Sequence, residues 1–193
     1  MSDRSEADIA ECLRPTDLID SDHPGIIAFA KEVVGSETDP KAKAIKLYYA
    51  VRDDFYYDPY GVRMTPDHFR ASACLERNSG FCITKAGLLA AAARGQGIPA
   101  RLGFADVRNH VSTKRMTDQM GTDVFYYHGF TELFIDGKWV KATPAFNIEL
   151  CDKVRIMPLE FDGEIQTDPE AVGTYFWVKG ADIKLVRNAK KKR

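Results

Sequence analysis

Two residues carry the chemical interest of this sequence: Cys82, at the head of an alanine-rich stretch, and His128, within a run of strand-forming residues. A thiol becomes a strong nucleophile only as its thiolate. Free N–H groups at a helix N-terminus and a neighbouring imidazolium both favour that charge. Ser79-Gly80 precede Cys82, and Gly80 is expected to let the chain turn and a substrate approach closely. The N–H groups at the helix start could also stabilise an oxyanion on a carbonyl. His128 is the natural base for such a thiol. Each type also has a plainer use, because a lone cysteine often only packs and a lone strand histidine is often structural. Cys12, Cys74 and Cys151 take that plainer reading, and His23 and His110 are expected at the surface. Asp58, Tyr60, Arg63 and His68 are expected to line a cleft ahead of the helix.

The helix presenting Cys82 is expected over about residues 82–94, with Cys82, Ala86, Leu89, Ala90 and Ala93 on one face. Gly95 and Gly97 end it, and Ile98-Pro99-Ala100-Arg101 begin an extended segment. Two helices precede it. Asp22 is expected to cap the first, near Pro24, which has the stripe Ile26, Ile27, Ala30, Val33 and Val34 and a stop at Gly35. Asp39-Pro40 start the second, with the stripe Ala44, Leu47, Tyr48 and Val51. A turn cluster at 57–61 and a short helix or irregular segment at 65–78 follow.

Beyond the third helix the period changes. Residues 106–122 read as a long polar loop and a candidate lid. Val124 to Ile135 reads as a strand, Asp136-Gly137 as a hairpin turn, and Lys138 to Thr143 as the returning strand, ended by Pro144. A two-residue turn pairs Ile135 with Lys138, Phe134 with Trp139, Glu132 with Lys141 and Phe130 with Thr143. His128, Phe130, Glu132, Phe134, Trp139, Lys141 and Thr143 then share one face, with His128 and Thr143 diagonal neighbours. Glu132 and Lys141 read as a cross-strand ion pair. The stretches 154–161 and 174–186 are apolar enough to add strands.

The chain has 193 residues, 45% of them apolar and 28% charged, so an ordinary hydrophobic core is expected. A net charge of -1 supplies no field that would draw the chain to nucleic acid or membrane. The basic run Lys190-Lys191-Lys192-Arg193 reads as a solvated end. No apolar run of signal-peptide or membrane-span type occurs, and no C-x-x-C pair, so reduced thiols and a cytoplasmic location are expected. The histidine spacing suits no metal and no glycine-rich loop suits a nucleotide, so neither metal nor cofactor is expected.

The run Gly80-Phe81-Cys82-Ile83-Thr84-Lys85-Ala86-Gly87-Leu88-Leu89, followed by Arg94-Gly95-Gln96-Gly97-Ile98-Pro99-Ala100-Arg101, resembles the transglutaminase-like superfamily. There, a G-x-C opens a helix that leads into a G-I-P-A-R strand entry. The run from His128-Gly129-Phe130 to Gly137-Lys138-Trp139-Val140 resembles the family's histidine strand, hairpin and returning tryptophan. The resemblance covers roughly residues 23–147. It implies an α+β, papain-like fold, with the nucleophile helix packed on an antiparallel sheet. With the polar start and the basic end read from the sequence, the chain is expected to divide into an N-terminal arm (1–22), one catalytic domain (23–187) and a basic tail (188–193). It implies a cysteine hydrolase or acyltransferase acting on an amide, peptide or thioester, with water or an amine as acceptor, and favours a peptidase or amidase over a protein cross-linker. Cys82 would be the nucleophile and His128 the base. The family's usual aspartate, in a W-V-x-x-D-P pattern, is replaced here by Thr143 in Trp139-Val140-Lys141-Ala142-Thr143-Pro144. Thr143 could orient His128 by accepting from Nδ1–H but brings no charge, and Asn147 is a second candidate. The substitution leaves open an inactive module that binds a peptide or protein partner.

Overall fold

A computed structural model describes residues 6–108, 124–164 and 171–178 of the chain. His110, the basic tail and the expected lid beyond Arg108 lie outside the described residues. Helix α1 (Glu6–Glu11) is followed by α2 (Pro24–Val34), whose cap is His23 rather than Asp22. The His23 imidazole accepts from the Gly25 N–H at 3.2 Å, doing for the helix start what a short carboxylate would do. Helix α3 (Pro40–Asp53) starts as expected, with Asp39 accepting from the Ala42 N–H at 2.8 Å. Its stripe of Ala44, Leu47, Tyr48 and Val51 is wholly buried. Strand β1 (Tyr56–Tyr57), helices α4 (Pro66–Phe69) and α5 (Ala71–Arg77), and strand β2 (Ser79–Gly80) lead to α6 (Cys82–Gly95).

Helix α6 is buried all round from Thr84 to Arg94, not along one stripe, because α2, α3 and α5 surround it and the sheet lies against it. Four consecutive alanines, Ala90 to Ala93, permit that close approach. Two cations on the helix are consumed by backbone. Fully buried Lys85 donates from Nζ to the carbonyls of Arg52 at 2.9 Å and Phe55 at 2.7 Å, at the C-terminal end of α3, where carbonyls run out of helical partners. Burial pulls this amine down to about 7. Arg94, near the far end, donates to Ala100 O at 2.9 Å and Arg14 O at 2.5 Å. The segment before α2 is thus a strap, with Cys12 and Ile19 buried and the Ala100 N–H donating to Cys12 O.

Strands β3 (Ala100–Arg108), β4 (Val124–Ile135), β5 (Lys138–Ala142) and β6 (Ala171–Val178) form an antiparallel sheet in the order β5-β4-β3-β6. Asp136 and Gly137 both have positive φ, 50° and 78°, as a two-residue turn of the type matched to strand twist requires. The expected register holds from Ile135↔Lys138 to Thr131↔Ala142. Three expectations are corrected. Residues 106–108 belong to β3, not to a loop. The chain after Asn147 forms helix α7 (Ile148–Val154), with no strand over 155–161. Glu132 opposes Lys141 in the ladder, but its carboxylate accepts from Arg101 Nε at 2.6 Å. The Arg101 guanidinium stacks 4.0 Å from the Trp139 ring centroid, so a planar cation outcompetes the flexible ammonium.

Lys85→Met keeps most of the stem volume but strands two buried carbonyls at the end of α3. The expected result is a loss of about 3 kcal/mol in urea unfolding, against less than about 1 kcal/mol for an exposed-site control such as Lys31→Met.

Candidate active site

Cys82 is the one cysteine of the four with solvent access, the other three being buried. It occupies the first position of α6, and the residue before it, Phe81, has no side-chain acceptor. The Thr84 hydroxyl turns back to accept from the Phe81 N–H at 3.0 Å. The N–H groups of Cys82 and Ile83 are left without a capping side chain and point at the sulfur. The uncapped helix start is therefore available for negative charge.

Glycine 80 does a different job from the one expected. A Cβ there would lie 2.4 Å from Thr84 Oγ1 and 2.9 Å from Cys74 Sγ, so its space is taken by α5 and α6 rather than by substrate. The glycine that matters for close approach is Gly129. A Cβ on it would fall 2.8 Å from Ile83 Cα and 3.2 Å from Ile83 N, so β4 touches the first turn of α6 backbone to backbone.

Hydrogen-bond alternation explains why the sulfur lies here. The Phe134 N–H donates to Pro99 O, so even-numbered β4 residues bond toward β3 and odd-numbered ones toward β5. The β4–β5 register, carried past its last pair, would set Gly129 opposite Pro144. Proline has no N–H to contribute, and β5 ends at Ala142. The Gly129 N–H is thus aimed at an open edge, where Cys82 sulfur receives it as a third backbone donor. The Cys82 sulfur is placed one residue along the strand from His128.

His128 follows a bulge. Ala105 pairs with His128 and Val107 with Phe125, so Asp106 alone faces Tyr126 and Tyr127. Tyr127 has φ 61°, in the left-handed region, and its N–H donates to Asp106 Oδ1 at 3.2 Å. Holding a tyrosine there costs about 1–3 kcal/mol, the kind of strain that re-aims a neighbouring side chain. His128 is 8% exposed, and its Nε2 is buried with no hydrogen-bond partner.

The charge state differs from the expected thiolate. Burial pushes the Cys82 thiol up to about 11, outweighing the three backbone N–H groups that favour the anion. Burial alone brings His128 down to about 4. At neutral pH the resting pair is a neutral thiol and a neutral imidazole.

Thr143 is buried, and its carbonyl is held by the Tyr48 hydroxyl at 3.2 Å. It lies one residue past the end of the β5 ladder. Neither Thr143 nor Asn147 bonds to Nε2 of His128. Asn147 is committed elsewhere, its Oδ1 accepting from the Tyr57 N–H at 3.2 Å. Among the other expected cleft residues, Asp58 closes a turn by accepting from the N–H groups of Tyr60 and Gly61. His68 packs edge-on against Phe69, whose ring meets Phe81, the residue before Cys82. Two residues at the site escaped sequence reasoning. Gly129 was legible as a strand-interior glycine, a mark of close backbone approach. Tyr57 was not, because the parallel pairing of β1 with β2 leaves no local signal. Among the described residues, no cluster of three or more His, Cys, Asp or Glu forms a metal site.

The family profile described as the transglutaminase-like superfamily matches residues 27–144. No curated protein matches the chain. Among solved structures, a candidate cysteine protease from Cytophaga hutchinsonii is similar at TM-score 0.58 and 20% identity, over 72% of this chain and 43% of that one. The periplasmic domain of TgpA from Pseudomonas aeruginosa is similar at TM-score 0.51 and 20% identity, over 73% of this chain and 48% of that one. At such identities the likeness is one of fold, and this chain spans less than half the length of either. No helix of the described residues is long and apolar enough to cross a membrane.

The buried neutral imidazole predicts an acid sensitivity. His128 titrates near 6.5 when unfolded but only near 4 when folded, so between those values the unfolded chain binds a proton the folded chain does not. Stability falls as pH falls through this window, by about 3 kcal/mol from this residue. Urea unfolding at pH 7 and pH 4 should show a smaller acid loss in His128→Gln than in the wild type.

Proposed function

The chain belongs to the transglutaminase-like superfamily, and on that premise we propose that it is a cysteine enzyme that transfers or hydrolyses acyl groups through Cys82 and His128. The observation that carries this reading is the placement of the one accessible cysteine at an uncapped helix start, against the strand residue that follows His128. Thiol and imidazole are both neutral at rest, so His128 acts as a general base during attack rather than as half of a standing ion pair.

In the proposed reaction, Cys82 sulfur bonds to the carbonyl carbon of an amide, peptide or thioester while its proton passes to His128. The carbonyl electron pair moves onto oxygen, stabilised by N–H groups at the start of α6. The intermediate collapses with cleavage of the bond to the leaving group, an amine or a thiolate, which takes the proton from His128 as it departs. Water or an amine then attacks the thioester, giving up a proton to His128, and Cys82 leaves as the thiol. Peptide or amide hydrolysis is preferred over cross-linking, in keeping with the protease designation of the Cytophaga hutchinsonii protein. Exposed Tyr60, Tyr126 and Tyr127, near the site in sequence, would offer such a substrate aromatic surface. Thr143 is proposed to steady the His128 ring. The register extended past Ala142 sets it opposite Phe130, on the face of β4 that carries His128. Catalytic hydrogen bonds often tighten only in the substrate complex.

One observation favours a second reading, a non-catalytic peptide-binding module: the unpartnered Nε2 of His128, where an active site would keep an orienting acceptor. Steady-state hydrolysis of a peptide p-nitroanilide panel separates the two. For the enzyme, Cys82→Ala abolishes turnover, His128→Ala lowers kcat/KM by about 100-fold or more, and Thr143→Val lowers it about tenfold. A binding module would show no turnover in the wild type, with peptide affinity by calorimetry unchanged in Cys82→Ala.

A further inference from the structure

We propose that the Tyr57 hydroxyl is a further catalytic group, which donates a hydrogen bond to the oxyanion formed as Cys82 attacks a carbonyl; this rests on the acyl-transfer reading. Tyr57 is attached to the approach of the nucleophile. It pairs with Gly80, two residues before Cys82, through a parallel bridge closed by Asp58 N–H to Gly80 O at 2.8 Å and Tyr56 N–H to Asn78 O at 3.2 Å. Its other side is fixed as firmly. Asn147 Oδ1 accepts from its N–H, and its ring stands edge-on to Phe146, with centroids 4.8 Å apart and planes at 79°. Asn147 can serve Tyr57 because the start of α7 is capped from elsewhere, the Ile148 N–H donating to Asp53 Oδ1 at 3.0 Å.

The backbone of Tyr57 is thus locked while its hydroxyl stays uncommitted. Among the described residues that oxygen has no hydrogen-bond partner, and it is not one of the polar atoms sealed from solvent. Burial, and then the negative charge that Cys82 would carry, hold the phenol well above its ordinary range. The residue therefore keeps its proton and is able to donate it in a hydrogen bond. A rigidly held donor with no ground-state partner suits charge that appears only in the transition state. The Cys82 N–H at the start of α6 supplies the companion donor from a second element.

The step balances without a proton leaving Tyr57. The sulfur–carbon bond forms, the carbonyl π pair moves to oxygen, and the thiol proton goes to His128. Tyr57 O–H points at the new oxyanion, and the pair returns to reform the carbonyl as the leaving group departs.

Two thiol reactions separate this role from a structural one. Acylation of Cys82 by a p-nitrophenyl ester develops an oxyanion, whereas alkylation by iodoacetamide displaces iodide at a saturated carbon and does not. Tyr57→Phe keeps the ring on Phe146 and the backbone bond to Asn147. The expected result is acylation slowed about 100-fold, with kcat lowered and KM little changed, while the alkylation rate and the thermal midpoint match the wild type. Equal acylation rates in wild type and Tyr57→Phe would overturn the role of Tyr57 and leave the Cys82–His128 reading intact. Parallel loss of acylation and alkylation would assign Tyr57 to structure. A wild type that alkylates but accepts no acyl group would overturn both readings together.

Discussion

The backbone contact between the first turn of α6 and the edge of β4 sets the rest of the site. It exists because Gly129 has no Cβ to strike Ile83 and because Pro144 offers no N–H where β5 would have continued. A longer β5 would have consumed the Gly129 N–H in the ladder and closed the edge that Cys82 occupies. The surroundings hold this contact from several directions. Lys85 ties α6 to the end of α3, Arg94 ties it to the strap, and the Thr131 hydroxyl donates to Ala86 O at 2.8 Å across the helix–sheet seam. Lys85, Arg94 and Thr131 are tolerated at this depth because each donates to a backbone carbonyl, Arg94 through Nε and Nη1 only.

The same enclosure decides the chemistry. Burial drives both Cys82 and His128 to their neutral forms, so in the reaction we propose reactivity is created as a substrate reacts rather than held as standing charge. By our reading, fixed donors then carry the electrostatic load: the N–H groups at the start of α6 and the Tyr57 hydroxyl. An imidazole with an unpartnered buried nitrogen lies one residue beyond a strained bulge at Tyr127. By our reading, Thr143 stands where the family has an aspartate and brings no charge, which fits a base that stays uncharged until it takes the thiol proton.

Much of this was legible in the sequence, and the reasons differ by element. The Asp136-Gly137 turn admits one tight geometry, so the hairpin register followed from two residues and an alternation. The caps and apolar spacing of α3, and the start of α6 at Cys82, were equally local. Helix α7 escaped because its apolar positions were too few to separate helix from strand. The Arg101–Glu132 pair escaped because it joins residues from strands distant in sequence. Tyr57 and Asn147 escaped for the same reason: their roles depend on a parallel bridge and a ninety-residue closure. The suppressed thiolate was misjudged because a helix start argues for charge while burial, invisible in one dimension, argues harder against it.

The central claim is that Cys82 takes an acyl group with the help of His128. Mass spectrometry of intact protein and its peptides, after brief exposure to an activated ester at neutral pH, tests this most directly. The account predicts a single acyl adduct on the peptide containing Cys82, formed at least about 100-fold more slowly in His128→Ala. An adduct spread over Cys12, Cys74 and Cys151 as well, or one on Cys82 that forms equally fast without His128, would contradict it.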